Sequence, residues 1–244
     1  MKLKKHLGQH FLTSQSTLEY EATLANPKGK KILEIGPGDG RLTERLLAKS
    51  PRQLTAIEKD PAWAAHLKER FGEADNLKII EGDFLDLNST DADLIIGNIP
   101  YYISSQILFR IAELGTKTAI LMVQNEFAKR MVAEPRTGNY GRLSVTSQLH
   151  FQIKLLKRVK KGSFSPPPKV DSAIILLKRK DFKMEKKLEE FIRTIFQHKN
   201  QNIRKALKHE GIGLEEELPK KRARELSKEE ILEIYESIKA SLPS

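Results

Sequence analysis

The sequence contains no cysteine, which excludes disulfides, thiolate zinc sites and cysteine nucleophiles. Most metal-site readings go with it, and no metal is expected. No apolar run approaches the ~18 residues that a membrane-spanning helix needs. The opening MKLKKHLGQHF also lacks the apolar core of a signal peptide. Together these absences lead to the expectation of a cytoplasmic protein that engages no membrane. No internal repeat or long low-complexity segment breaks up the 244 residues, a length that allows one medium domain with a small appendage, or two modest domains.

What the sequence has in excess is positive charge: 43 Lys and Arg against 32 Asp and Glu, a formal +11. A surface that basic attracts polyanions, which makes nucleic acid the leading partner class. The excess is uneven. Residues 181–244 carry 14 basic and 13 acidic side chains, so +10 of the charge falls on residues 1–180, with a cluster at Lys154, Lys157, Arg158, Lys160 and Lys161.

Short apolar runs of strand type recur at Lys31–Ile35, Gln53–Ile57, Leu77–Ile80, Asp93–Ile96 and Thr118–Val123. Between them, Arg41–Lys49, Pro61–Phe71 and Ser104–Glu113 carry apolar residues at helical spacing. The alternation predicts an α/β fold, a doubly wound and mostly parallel Rossmann-like sheet. Phe151–Val159 and Ala173–Leu177 read as two further strands forming an antiparallel hairpin at the sheet edge, joined through Pro166-Pro167-Pro168. After about Arg179 the texture changes to charged helical segments, Met184–Phe196, Asn202–Glu210 and Lys228–Lys239, punctuated by Gly211, Gly213 and Pro219. The expected organisation is a catalytic domain over residues 1–180 and a small all-helical C-terminal domain over residues 181–244.

Glu34-Ile35-Gly36-Pro37-Gly38-Asp39-Gly40 follows the first of these strands and opens the first of these helices. Glycines there allow a sharp bend and a close ligand approach beside a helix N-terminus, as a nucleoside cofactor requires. The spacing departs from G-x-G-x-x-G, and a glycine-rich turn alone is as often just a tight loop. The next strand ends in Glu58, about twenty residues on, where a carboxylate can accept hydrogen bonds from ribose hydroxyls. The third ends near Asp83, a candidate acceptor for a cofactor adenine amine. Each acid alone reads more readily as a solvated strand end; three successive ends in Gly, Glu and Asp do not. An NAD-dependent dehydrogenase is compatible with this much, and the fourth strand shifts the balance to S-adenosylmethionine.

That strand runs into Asn98-Ile99-Pro100-Tyr101, at the sheet edge where such folds bind substrates. An adenine amine is a poor nucleophile because its lone pair is delocalised into the ring. A methyltransferase therefore needs to draw that nitrogen toward a tetrahedral geometry in line with the donor methyl. The Asn98 side-chain oxygen and the Ile99 carbonyl beside Pro100 can accept the two amine protons, and Tyr101 can stack on an extruded base. In isolation the tetrapeptide reads better as a strand-ending Asx-Pro turn; its position after three ligand-reading strand ends favours the amine clamp.

The chain resembles the KsgA-type small-subunit ribosomal RNA adenine N6,N6-dimethyltransferases over nearly its full length. The resemblance is carried by Gly8-Gln9-His10-Phe11-Leu12, Glu34–Gly38, Glu58, Gly82-Asp83, Asn98–Tyr101, Tyr140-Gly141-Arg142-Leu143-Ser144 and Phe164–Ser172. It implies a class I methyltransferase sheet that transfers methyl groups from S-adenosylmethionine to two adjacent adenosines near the 3′ end of small-subunit rRNA, within an assembling small ribosomal subunit. It further implies cofactor contacts from His10, Leu12, Gly36, Gly38, Glu58, Asp83 and Asn98. Catalytic positions would be Asn98, Ile99, Pro100 and Tyr101. Phe164 would be a second stacking surface beside Tyr101, Arg142 a phosphate contact, and residues 181–244 a region that docks RNA or the ribosome. Many relatives carry Asn at the position of His10. The Phe196–Leu207 segment has fewer arginines than bacterial relatives, which points to an archaeal-type member. A monomer is the default expectation. Two rival readings are an Erm-type large-subunit rRNA methyltransferase and a non-catalytic RNA-binding assembly factor.

Overall fold

A computed structural model describes residues 10–209 and 218–242. Gly8 and Gln9 of the opening block, and Glu210, Gly211 and Gly213, lie outside the described residues. The chain divides into two compact units. One comprises the chain up to Ala128 together with Ile153–Arg179; the other comprises Lys129–Gln152 and the chain from Lys180 onward.

In the first unit, short β1 (Phe11–Leu12) leads into α1 (Gln15–Ala25). Strands and helices then alternate: β2 (Lys31–Ile35), α2 (Arg41–Leu47), β3 (Gln53–Glu58), α3 (Pro61–Phe71), β4 (Leu77–Glu81), β5 (Leu94–Asn98), α4 (Ser104–Leu114) and β6 (Thr118–Gln124). After α5 (Asn125–Met131) and α6 (Arg142–His150), the chain returns through β7 (Phe151–Val159), β8 (Phe164–Ser165) and β9 (Ser172–Arg179). Seven strands share one sheet in the order β4-β3-β2-β5-β6-β9-β7. The neighbouring pairs from β4 to β6 are parallel, and β9 runs antiparallel to β6.

The central apolar runs form strands because the sheet removes both of their faces from water, whereas edge strand β4 stays partly exposed. Leu33, Ile35, Ile95, Ile96, Leu121 and Met122 are all buried, as parallel strands between layers require. β5 extends two residues past the expected Ile96, so that Asn98 is itself the last strand residue, opposite Met122 of β6. The chain order reverses around β2, with β3 on one side and β5 on the other. In open α/β sheets the crevice at such a switch point, outside the carboxyl ends of the strands, is where ligands bind. Helix starts follow local chemistry. At α3, Asp60 caps the Ala62 N–H and Pro61 occupies the first turn.

The second unit is helical. Its core joins Tyr140, Val145 and Leu149 to residues of α7 (Lys186–Gln197), α8 (Ile203–His209) and α9 (Lys228–Ile238), among them Phe191, Ile192, Ile195, Leu207 and Tyr235. A single cut at residue 180 therefore does not describe the compact units, because residues 129–152 pack with the C-terminal helices. Apolar side chains on α6 have no strand partner and bury against Phe196 and Leu226 in that core. Ser227 caps α9 by accepting the Glu230 N–H, while the Glu230 carboxylate accepts the Ser227 N–H. Among the described residues, no helix is long and apolar enough to cross a membrane.

The Tyr140 hydroxyl donates to the Leu226 carbonyl at 2.7 Å inside this core, and burial pushes that hydroxyl far above the ordinary tyrosine value. Tyr140→Phe leaves the carbonyl buried without its donor. The expected cost is about 1–3 kcal/mol, read as a lower unfolding midpoint with the circular dichroism spectrum of the native state unchanged.

Candidate active site

The carboxyl ends of β2, β3 and β5 open into one cleft within the first unit. Its lining includes His10, Leu12, Gly36, Gly38, Glu58, Asp83, Asn98, Ile99, Pro100, Tyr101 and Phe164. Of the candidate residues named from sequence, Arg142 is not there; it begins α6 in the second unit.

The β2–α2 turn has backbone angles that few side chains tolerate. Gly38 has φ +56°, and a Cβ there would lie 2.6 Å from the Phe11 ring. Glycine thus lets β1 close down on the turn. Next to it, Glu58 is buried and held at both oxygens: Oε2 accepts the Gly38 N–H at 3.0 Å and Oε1 the Asp60 N–H at 2.9 Å. Burial raises its carboxyl above the ordinary range against the pull of these backbone donors. Each oxygen keeps a lone pair, so the group is fixed and still able to accept.

Asp83 Oδ1 accepts the Leu85 N–H at 3.0 Å, and Oδ2 pairs with Lys59 Nζ at 2.6 Å. Partial burial raises the Asp83 carboxyl, but the bonds from Lys59 and Leu85 outweigh it and leave it below the ordinary aspartate value. Asp83 is therefore ionised at neutral pH and acts as an acceptor.

The N-terminal wall is assembled from residues far apart in the chain. Phe11 and Leu12 pair with Ser165 and Phe164 in a two-stranded ribbon. The Thr13 hydroxyl donates to the Ser163 carbonyl, and His10 Nδ1 donates to the Pro166 carbonyl at 2.8 Å. The proline block is braced in turn: Asp171 pairs with Arg158 and accepts the Lys161 N–H. Two members of the basic cluster thus shape this wall. Phe164 is 7% exposed and packs in the core while its edge reaches the cleft. Phe164 thus lines the cleft that Tyr101 also lines, with its backbone paired to Leu12.

The strand-ending motif supplies the reactive geometry. The Ile99 N–H donates to the Met122 carbonyl at 2.9 Å, which locks the turn to β6. The Pro100 carbonyl accepts from the Ile103 N–H and the Ser104 hydroxyl. The Tyr101 hydroxyl sits 2.7 Å from Ser172 Oγ, and burial raises its pKa despite that bond. Asn98 Oδ1 is buried and has no hydrogen-bond partner among the described residues. A buried acceptor without a donor is costly, so this atom is suited to a ligand's N–H.

Sequence reasoning missed Phe11, Trp63, Lys59 and Tyr102 as lining residues. Phe11 meets Trp63 edge-on at 4.9 Å, and Tyr102 is a 62% exposed aromatic at the rim. The single Trp and the doubled Tyr101-Tyr102 were visible signals. The contacts of Phe11 and Lys59 depend on tertiary approach. Among the described residues, no group of three or more metal-ligating side chains occurs.

A switch-point cleft lined by fixed acceptors, with an acceptor-bearing turn after the fourth strand, defines an enzyme of the class I methyltransferase fold. The model of the ribosomal RNA adenine dimethylase family matches residues 1–240; the chain belongs to that family. It is 39% identical over 255 residues to a probable ribosomal RNA small subunit methyltransferase A of Methanothermobacter thermautotrophicus, covering 98% of this chain and 92% of that one. It is 38% identical over 218 residues to the ribosomal RNA small subunit methyltransferase A of Pelagibacter ubique, covering 84% and 82%. Among solved structures, a dimethyladenosine transferase from Plasmodium falciparum superposes with a TM-score of 0.82 at 26% identity, covering 95% and 98%. The 23S rRNA methyltransferase ErmE superposes with a TM-score of 0.69 at 30% identity, covering 94% and 99%.

In the cleft lining, burial pushes the Glu34 carboxyl up from 4.5 to about 8, although Oε2 accepts from the Thr43 hydroxyl at 2.7 Å. An acid whose folded pKa lies above its unfolded one contributes stability below the unfolded value and loses it as pH rises through the folded value. The unfolding midpoint is therefore expected to fall between pH 5 and pH 8, and Glu34→Gln to make that fall shallower. Thermal melts across this range check the slope; an unchanged slope in the variant would contradict the assignment.

Proposed function

We propose that this chain transfers methyl groups from S-adenosylmethionine to the N6 amines of two adjacent adenosines near the 3′ end of small-subunit rRNA. The reading has it acting as a monomer in the cytoplasm, on small ribosomal subunits under assembly. The observation that carries the reading is the buried Oδ1 of Asn98, unpartnered among the described residues and carried by a residue that lines the cleft. An exocyclic amine supplies the donor that this atom lacks. The small-subunit target follows the names of the Methanothermobacter thermautotrophicus and Pelagibacter ubique relatives.

The residues present fit the cofactor. Glu58, held rigid by Gly38 and Asp60, would take the ribose hydroxyls. Ionised Asp83 would accept from the adenine amine, and the Gly36–Gly38 turn with Leu12 and His10 would bound the methionine side. When bound, S-adenosylmethionine supplies an electrophilic methyl on a sulfonium.

The protein's own contribution is to prepare the nitrogen. Asn98 Oδ1 and the Ile99 carbonyl accept the two amine protons, which withdraws the nitrogen lone pair from the ring and aims it outward. Tyr101, anchored through Ser172, holds the base face, with Tyr102 at the rim to meet an unstacked base. Bound S-adenosylmethionine would supply the methyl to this nitrogen, its sulfonium leaving as a neutral thioether. The resulting cationic amine is acidic enough to lose its proton to water, so no strong general base is needed. The exposed lysines at positions 154, 160 and 161, with Arg142 on the helical unit, are suited to phosphate contacts. The C-terminal helices would dock the particle beyond the target loop.

Asn98→Ala is expected to lower methyl transfer by about 10²–10³-fold while RNA affinity, which depends on phosphates, changes by less than about twofold. Labelled methyl incorporation into undermodified small and large subunits, with RNA binding measured in parallel, checks both claims. Full turnover by the variant would overturn the amine clamp. Labelling of the large subunit alone would instead assign the chain to an Erm-type activity.

A further inference from the structure

The loop between α5 and α6 holds a strained arginine that methyl transfer leaves unused. Arg136 has φ +68°, a left-handed backbone conformation in a non-glycine residue. The Thr137 N–H donates to the Glu134 carbonyl at 3.2 Å, closing a β-turn with Pro135 second and Arg136 third. That is the type II pattern, whose third position calls for glycine. Among the described residues, the other non-glycine positions with positive φ are Asn26 and Ser50, short side chains that follow α1 and α2. Arg136 is a long, charged side chain in an exposed loop.

Backbone strain persists only where the surroundings enforce it. Here the Arg136 N–H donates to the Arg224 carbonyl at 2.8 Å, and the Tyr140 hydroxyl ties the far end of the loop to the Leu226 carbonyl at 2.7 Å. The bond at residue 136 uses only main-chain atoms, so glycine there would keep it and relieve the strain. The fold therefore gives no reason for an arginine; its side chain has to supply one. That side chain is exposed, as is Arg224, and neither makes an ion pair or a side-chain hydrogen bond among the described residues. The acids of the adjoining segment are already engaged. Glu225 accepts the Arg222 N–H at 2.8 Å, and Glu230 pairs with Lys221 and accepts the Ser227 N–H. No Asp or Glu occurs between Glu134 and Asp171.

We propose that Arg136 docks a phosphate of small-subunit rRNA on the helical unit, with the exposed Arg224 adding to the local positive charge. A guanidinium presents a planar fork of donors that matches two phosphate oxygens. The braced turn removes part of the ordering cost of holding that fork out. The contact holds the particle and leaves cofactor binding unchanged. The identity of its RNA rests on the proposed function, and the experiment separates the two.

Wild type, Arg136→Gly and Arg136→Gln are compared for affinity to undermodified small ribosomal subunits at about 50–200 mM salt. S-adenosylhomocysteine affinity by calorimetry and thermal midpoint are measured alongside. Arg136→Gly is expected to raise the midpoint by about 1–3 °C. It is also expected to weaken particle binding about 5–10-fold and to lower the slope of log affinity against log salt by about 0.7–0.9. Arg136→Gln, which keeps the strain and loses the charge, is expected to show the same weakening without the gain in midpoint. Affinity for S-adenosylhomocysteine is expected to stay that of wild type in both. A Gly or Gln variant with wild-type affinity and slope overturns the proposal. So does a Gly variant that melts below wild type, which would give the arginine a structural reason, or a loss of cofactor affinity, which would mark a general defect. If wild type methylates small subunits and both variants bind them as tightly, the phosphate contact fails and the proposed function stands. Wild type that labels large subunits alone would remove the proposed function and this contact's partner together.

Discussion

Asn98 Oδ1 is a buried acceptor at the end of β5, with no hydrogen-bond partner among the described residues. Much of the first unit can be understood as the frame that holds that atom in place. Parallel pairing with β6 fixes the strand end, the Ile99 N–H bond to Met122 fixes the turn, and the Tyr101–Ser172 contact fixes the residue that leaves the turn. Burying such a group without a partner costs on the order of 1–3 kcal/mol. A ligand that supplies the missing donor recovers that energy at the point where chemistry occurs, which is how a preorganised site favours its transition state.

The same logic organises the cofactor side. Glu58 and Asp83 are not loose acids at strand ends, because every one of their oxygens already holds a donor. Their orientation is set before any ligand arrives. The ribbon of β1 with β8 closes this side of the cleft and brings the 10–12 and 163–172 segments to one wall. Gly38 is where that closure requires the absence of a side chain.

The parallel strands and α2 to α4 were legible because burial and amphipathic spacing leave a period in the sequence. The glycine turn, Glu58, Asp83 and Asn98–Tyr101 were legible because topology puts strand ends in one place. The helix α6 was not. Its buried residues run from Leu143 through Ser147 with no polar face, so no helical period marks it, and the grouping of residues 129–152 with the C-terminal helices is hidden for the same reason. The pairing of Phe164 with Leu12 is a tertiary contact that local sequence does not encode. Glu21 is illegible on related grounds: an acid on a helix reads as part of a solvated face until the fold shows it fully buried.

The central claim is that Asn98 and its turn present an adenine amine of small-subunit rRNA for methylation. The most direct measurement is mass-spectrometric mapping of rRNA after the protein has reacted with undermodified small ribosomal subunits and S-adenosylmethionine. The account predicts N6,N6-dimethyladenosine at two adjacent positions near the 3′ end, and nowhere else in the particle. Methylation on a base other than adenine, on a ribose, or on no nucleotide at all would contradict it.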